Sequence, residues 1–173
     1  VPVLPRVRLL QRARIGPHAP LCGCVLASGP KRRDEIEFQL LTAAGALAWR
    51  QDLAGNVVEA PGGALVWERL LKRDLALGQV VAGEMTIQAE PYPRARVRGQ
   101  VVAMGPQNIG GRRFDAAVLE LFGEVIQADS ISTRLDGVMV IDRHSGVLLR
   151  LDLRSAQAPF ALQRRLVRVE PAS

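Results

Sequence analysis

The strongest constraint on this chain comes from two apolar segments near its end that a short turn separates. In residues 147–154 leucines alternate with charged residues, and this period of two predicts a β-strand with one buried and one exposed face. Residues 135–142 form the preceding apolar segment, and residues 142–146 are rich in residues that favour turns. Together they predict an antiparallel hairpin. The positions expected to point inward are Leu149, Leu151 and Leu153, and those expected to point outward are Arg150, Asp152 and Arg154.

Similar alternating segments occur along most of the chain, and glycines and prolines separate them. Connections this short join antiparallel strands, because two parallel strands need a crossover of about a dozen residues or more. We therefore predict an all-β fold with minor helix: a curved antiparallel sheet of about eight to ten strands, as a half-open barrel or a two-layer sandwich. A helix is considered only at residues 66–72 and 155–162. A short strand, followed by a turn at residues 72–74, is preferred for the first.

The composition favours one domain. The 173 residues are enough for a single core and few for two. Hydrophobic residues make up 48% of the chain and aromatic residues only 4%, so Val, Leu, Ile and Ala must build the core. Of the 23 Lys and Arg residues, seven lie within residues 1–33, which contain no acid. We therefore predict a basic N-terminal arm or edge strands in residues 1–33 and an antiparallel β domain in residues 34–173.

Two basic features suggest anionic partners, and each has an alternative explanation. The N-terminal segment is either a solvated arm or edge, or a contact for an anionic membrane surface or nucleic acid. Arg94, Arg96 and Arg98 lie on one face of a strand and repel one another unless acids or an anion lie opposite. They either form an anion-binding stripe or pair with glutamates of neighbouring strands. Because Tyr92 is the only aromatic residue nearby, binding of single-stranded nucleic acid is not expected. The candidate glutamates are Glu84, Glu90, Glu120 and Glu124.

No residue pattern indicates catalysis, a cofactor or a metal. His18, Cys22 and Cys24 supply three candidate zinc ligands where a structural site needs four, so buried thiols acting as small apolar residues are preferred. The Asp, His and Ser of residues 142–146 are too close in sequence to be expected as a catalytic triad. The sequence contains no phosphate-binding loop and no hydrolase motif. We therefore expect no metal, no cofactor and no enzymatic activity.

The second half of the chain carries several strand and turn motifs. Residues 111–116 read Gly-Arg-Arg-Phe-Asp-Ala, residues 137–142 form a strand that ends in Asp, and residues 145–150 read Ser-Gly-Val-Leu-Leu-Arg. Together with Leu-Gly at residues 77–78, these motifs resemble exported bacterial β proteins of unknown function. About residues 75–155 are also similar in layout to the half-barrels of the LolA-like and LolB-like lipoprotein carriers. The resemblance implies a curved sheet and an envelope location, and no functional residue of those carriers is transferred.

The expected function follows from the aliphatic residues that are predicted to point inward. The concave face of a curved sheet must be filled by side chains, by a helix or by a ligand. We expect non-catalytic binding of a hydrophobic or amphipathic ligand, or of a partner protein, in a periplasmic or secreted bacterial protein. Anion or nucleic-acid binding is the alternative, and the sequence leaves the oligomeric state and a cytoplasmic location open. The candidate ligand-lining residues, which form ordinary core if two sheet layers pack together, are Leu119, Leu121, Val138, Val140, Leu149, Leu151 and Leu153.

Overall fold

The computed structural model describes residues 7–15, 22–28, 34–42, 45–62, 64–87, 94–126, 132–155 and 161–171. Twelve β-strands account for most of these residues, and none of the described residues is helical. No helix in this part of the chain could therefore cross a bilayer. The strands are β1 (Val7–Ile15), β2 (Cys22–Ser28), β3 (Glu35–Thr42), β4 (Gly45–Asp52), β5 (Val57–Glu59), β6 (Leu65–Glu68), β7 (Val80–Ile87), β8 (Arg94–Ile109), β9 (Arg112–Ile126), β10 (Ser132–Asp142), β11 (Leu148–Ser155) and β12 (Ala161–Pro171).

All twelve strands belong to one antiparallel sheet in the order β5-β4-β3-β2-β1-β12-β11-β10-β9-β8-β7-β6. Every neighbouring pair is consecutive in the chain except β1 and β12, which join the two halves. The sheet coils on itself, since β8 contacts β12 and the edge strands β5 and β6 contact each other. The predicted all-β, curved antiparallel fold is confirmed. The number of strands is larger than expected, because the basic N-terminal segment adds two strands.

We had expected the basic N-terminal segment to be an arm or edge strands, but its described parts, residues 7–15 and 22–28, are strands inside the sheet. β1 is hydrogen-bonded to β2 on one side and to β12 on the other, and β2 lies between β1 and β3. Closing the sheet requires a partner for β12, and β1 provides it. The short strand and turn preferred over a helix at residues 66–72 are confirmed, because residues 65–68 form β6 and a turn follows at residues 73–74.

Glycines alternate with large aliphatic residues on the inner face of the sheet. One cross-strand row runs through six strands as Val81, Gly99, Leu121, Gly137, Leu153 and Leu162. A Cβ at Gly137 would lie 2.1 Å from the backbone oxygen of Asp152, so no larger residue fits there without moving a neighbouring strand. Alternating small and large residues relieve crowding on the inside of a tightly curved sheet. The row therefore explains the curvature.

The connection between β6 and β7 fills part of the interior. Arg69 has a φ of 55°, a left-handed conformation that turns the chain at the end of β6. The chain then passes over β7 so closely that a Cβ at Gly83 would lie 2.6 Å from the Cα of Leu70. Leu70, Leu71 and Leu75 of this connection are all buried in the hydrophobic core. A segment of the chain itself thus occupies space on the concave side.

Side chains bridge the two edge strands where no strand ladder does. The Asn56 side chain accepts a hydrogen bond from the Leu71 N–H (2.7 Å) and donates one to the Leu71 oxygen (2.8 Å). This amide therefore satisfies the same backbone groups that a neighbouring strand would satisfy. Trp67 Nε1 donates to the Gly55 oxygen (2.8 Å), which fixes β6 to the turn before β5. These contacts hold the open side of the half-barrel together.

Candidate functional site

Most of the predicted ligand-lining residues are core residues. Leu119 and Leu151 have no accessible surface, and Leu121, Leu149 and Leu153 expose at most 2%. A void large enough for a ligand would leave the side chains around it accessible to a water-sized sphere. The side chains of these five leucines therefore pack against other side chains and line no such void inside the sheet.

Val138 and Val140 face the opposite way from our expectation. Val138 pairs with Asp152 and Val140 with Arg150, on the side of the sheet that carries the charges. Met139, which pairs with Leu119 and Leu151, points into the core in their place. Both faces of this strand are apolar here, so alternation alone did not determine which face is buried. Val138 remains half-buried on the outer face, while Val140 is buried.

A large hollow near these strands lies on the outer face instead. It is an open groove of about 930 Å³ that crosses β6 to β10. This volume lies within the range of about 300–1,000 Å³ that is usual for ligand pockets. The residues around the groove are Glu68, Arg69, Ala82, Gly83, Glu84, Arg96, Val97, Arg98, Phe122, Gly123, Glu124 and Arg134.

Two of the arginines that line the groove, Arg96 and Arg134, are opposed by acids in register but do not form close ion pairs with them. Arg96 lies between Glu84 and Glu124 in the sheet, and Arg134 lies opposite Glu124. Within the described residues, none of these contacts is closer than 4 Å, and Arg98 also lacks an ion pair. The three guanidinium groups are exposed and keep their hydrogen-bond donors available.

The predicted stripe of three arginines is therefore divided by the structure. Arg94 forms an exposed ion pair with Glu84 at 3.7 Å, which is a weak interaction at this exposure. Arg96 and Arg98 line the groove, whereas Arg94 lies outside it. Cross-strand glutamates and an open anion-accessible face, which we treated as alternatives, are thus both present.

Phe122 provides an apolar centre on the charged face. This residue is 47% exposed, and its cross-strand neighbours are Arg98 on β8 and Asp136 on β10. A second hollow of about 380 Å³ adjoins the groove and shares Phe122 with it. Val138 lines this second hollow and lies diagonally across the strand pair from Phe122. Phe122 and Val138 are thus two apolar residues among the charged residues around this hollow.

The polar residues of the turn between β10 and β11 have a structural role. Asp142 Oδ2 accepts hydrogen bonds from the N–H and the hydroxyl of Ser145, which closes the turn. His144 points elsewhere: its Nε2 lies 3.2 Å from Asp115 Oδ2, and its side chain is 62% exposed. Ser145 and His144 therefore bind different carboxylates, and no nucleophile–base pair is formed between them.

The other candidate residues from the sequence analysis add nothing to the groove. Trp49 and Trp67 are core residues, with ring centroids 6.0 Å apart. No group of three or more His, Cys, Asp or Glu side chains suited to a metal occurs in the part of the chain that the structure describes. His18 lies outside the described residues. The backbone register places Cys22 opposite Ala13 and Cys24 opposite Gln11.

Comparison with known proteins identifies the fold. The chain is similar to the hypothetical lipoprotein YmcC from Escherichia coli (K12), with 10% sequence identity, a TM-score of 0.54, and coverage of 98% of this chain and 86% of that one. It is also similar to an exported protein with a YmcC-like fold from Bacteroides fragilis, with 10% identity, a TM-score of 0.56 and 96% coverage of both chains. No family profile matches the chain, and no curated protein matches it in sequence.

The comparisons support the fold part of the resemblance seen in the sequence. Both neighbours share this architecture over nearly the whole chain, far beyond residues 75–155. The similarity to LolA and LolB in particular stays a prediction. Sequence reasoning missed the groove because its walls come from five strands, of which only β8 carries an obvious arginine pattern.

Proposed function

We propose that this chain is a non-catalytic binding protein of the bacterial cell envelope and that its outer groove binds an amphipathic anionic ligand. The apolar part of the ligand contacts Phe122 and Val138, and its anionic group contacts the arginines of the groove. Catalysis is not part of the proposal, because the side chains around the groove include no His, Cys or Ser that could act as a nucleophile or base.

The observation that carries the proposal is the combination of Phe122 with three unpaired arginines. An exposed aromatic ring costs solvation free energy that an apolar ligand group would recover. Arg96, Arg98 and Arg134 offer several N–H donors each, and guanidinium groups suit phosphate and carboxylate oxygens. Glu84 and Glu124 lie among them, so the groove favours a single anionic group over a highly charged polyanion.

The envelope location rests on the neighbours in fold. One is named a hypothetical lipoprotein, and the other is named an exported protein with a YmcC-like fold. The motifs of residues 111–150 resemble exported bacterial β proteins as well. A ligand with an acyl chain and a phosphate head, which is common in an envelope, has the chemistry that the groove provides.

Calorimetric titration with a short-chain phospholipid below its micelle concentration tests the proposal. Dihexanoyl phosphatidylglycerol carries one net negative charge, and dihexanoyl phosphatidylcholine has the same chains with no net charge. We expect the first to bind about tenfold more tightly, since a charge-assisted hydrogen bond contributes roughly 1.4 kcal/mol or more. Inorganic phosphate, which lacks the apolar part, should bind more weakly than either.

Two variants locate the binding. Arg98→Gln should reduce the preference for the anionic lipid, and Phe122→Ala should weaken both lipids alike because it removes the apolar contact. Arg113→Gln is the matched control, since Arg113 is exposed but lies outside the groove. Equal affinity for the two lipids, or wild-type affinity in both groove variants, would contradict the proposal.

A further inference from the structure

Three acids border the second hollow of the outer face, and two of them flank Val138. Glu120 lies opposite Val138 on one side and Asp152 lies opposite it on the other, so the three form a row across β9, β10 and β11. Adjacent strands are about 4.8 Å apart, so the backbones of the two acids are roughly 10 Å apart. The third acid, Asp136, lies opposite Arg154. The row therefore places an apolar residue between two carboxylates.

Glu120 has no base opposite it on either neighbouring strand. Its partner in register is Gln100 on β8 and Val138 on β10. Glu120 is exposed, and no ion pair within 4 Å involves it in the part of the chain that the structure describes. Arg98 of the groove lies diagonally across β8 and β9 from it, about 7–8 Å away between Cα atoms. A free carboxylate thus lies close to an arginine that has no ion pair either.

Asp152 contributes a carboxylate oxygen that lacks a hydrogen bond. The residue is only 9% exposed, and its Oδ2 is shared by Arg150 and Arg165. Its Oδ1 is buried and accepts no hydrogen bond from any described residue. A buried carboxylate oxygen without a donor costs free energy, which a donor on a ligand would recover. Because Asp152 lines the second hollow, a ligand in that hollow is the source from which such a donor would come.

We propose that the ligand of the outer face carries a primary ammonium group beside its anionic group, as a phosphoethanolamine headgroup does, and that Glu120 and Asp152 bind the ammonium. This assignment rests on the function proposed for the groove. The anionic group stays with Arg98, and Phe122, which both hollows share, lies opposite Arg98 and two residues from Glu120. An ammonium has three N–H donors and can serve two carboxylates at once, and the faces of aromatic rings attract cations.

Calorimetric titration of the full chain with two further probes tests the proposal. Dihexanoyl phosphatidylethanolamine and dihexanoyl phosphatidylcholine have the same chains, phosphate and net charge, but only the first has an ammonium with N–H donors. We expect phosphatidylethanolamine to bind about tenfold more tightly, which corresponds to one charge-assisted hydrogen bond. Free phosphoethanolamine, which has no acyl chains, should bind more weakly than the lipid. Equal affinity for the two would identify a soluble ligand and overturn the lipid headgroup as the source of the ammonium.

One variant separates this ammonium site from the anion site of the groove. Glu120→Gln should lower the affinity for phosphatidylethanolamine to that for phosphatidylcholine. It should leave the affinity for dihexanoyl phosphatidylglycerol, which has no ammonium, nearly unchanged, and that unchanged affinity also shows that the variant is folded. Glu37→Gln is the matched control, since Glu37 lines neither hollow, and it should change none of the three affinities.

The results distinguish failure of this inference from failure of the proposed function. Equal affinity of the unmodified chain for phosphatidylethanolamine and phosphatidylcholine, or a tenfold difference that persists in Glu120→Gln, would overturn the ammonium site alone. Failure of the proposed function has another signature, in which phosphatidylglycerol binds no more tightly than phosphatidylcholine, whatever the affinity for phosphatidylethanolamine.

Discussion

The two faces of strands β8 to β11 differ in how accessible their side chains are and in whether they carry a hollow. The inner face carries glycine and aliphatic residues in strict register, and its leucines have almost no accessible surface. The outer face of the same strands carries arginines, acids and the half-exposed Phe122, and both hollows open on it. A tightly curved sheet has no spare volume inside, because opposing side chains meet there. The two hollows therefore lie on the face that the fold does not need for its core.

The largest expected effect is on the inner face. Replacing Gly137 with alanine puts a methyl group 2.1 Å from the Asp152 oxygen, and a backbone oxygen cannot move without displacing β11. We expect the free energy of unfolding to fall by about 3 kcal/mol, at the upper end for overpacked sites. Chemical denaturation monitored by tryptophan fluorescence would measure it.

Gly99→Ala is the control for this change. The nearest atoms to its Cβ are side-chain methyl groups of Leu121, Val81 and Leu119, at 3.1–3.3 Å. Side-chain ends can give way, so we expect a loss of about 1 kcal/mol. Equal losses at Gly99 and Gly137 would contradict the view that backbone contact across the curved sheet limits Gly137.

A smaller effect is expected where side chains close the half-barrel. Asn56→Ala would leave the buried N–H and oxygen of Leu71 without partners, and we expect a loss of about 2 kcal/mol of stability. Trp67→Phe removes the bond to the Gly55 oxygen and part of a fully buried ring, so it should cost about 2 kcal/mol or more. Thermal unfolding would measure both losses. A loss below about 0.5 kcal/mol for Asn56→Ala would refute the role given to the amide.

The smallest effects come from two adjacent residues that face opposite ways. Arg164 pairs with the buried Leu151, and its guanidinium carbon lies 4.7 Å from the centroid of the Trp49 ring. Arg164→Gln should therefore lower the unfolding free energy by about 1 kcal/mol. Arg165→Gln, on the outer face, should change it by less than about 0.5 kcal/mol. Denaturation midpoints of the two variants would show whether the inner-face arginine contributes more to stability than the outer-face one. Equal losses of unfolding free energy in both variants would contradict this expectation.

The fold class was predictable because it depends on patterns that survive in a single sequence. The alternation in residues 147–154 and the turn at residues 142–146 correctly predict the β10–β11 hairpin. The central place of β1 was not predictable, because it depends on pairing with β12, about 150 residues away in the chain. Long-range pairing leaves no local signal, whereas a charge excess suggests an exposed arm.

The candidate site was predicted less well, for a specific physical reason. Alternation shows that a strand has two faces, but in residues 138–141 both faces are apolar, so Val138 and Met139 could not be told apart. Gly137 distinguishes the two faces, because it lies in the inner row with Leu121 and Leu153 and its neighbour Val138 must then face outward. The arginines of β8 were recognised, but the walls that turn them into a groove come from strands distant in sequence.

The central claim is that this protein binds ligands on the outer face of the sheet and not inside it. Backbone amide shifts recorded by NMR during titration with dihexanoyl phosphatidylglycerol test this claim directly, because each amide reports its own surroundings. The account predicts that the largest shifts occur at Arg98, Phe122 and Glu124, with little change at Leu149 and Leu151. Large shifts at Leu149 and Leu151, with none at Phe122, would place the ligand inside the sheet and contradict the account.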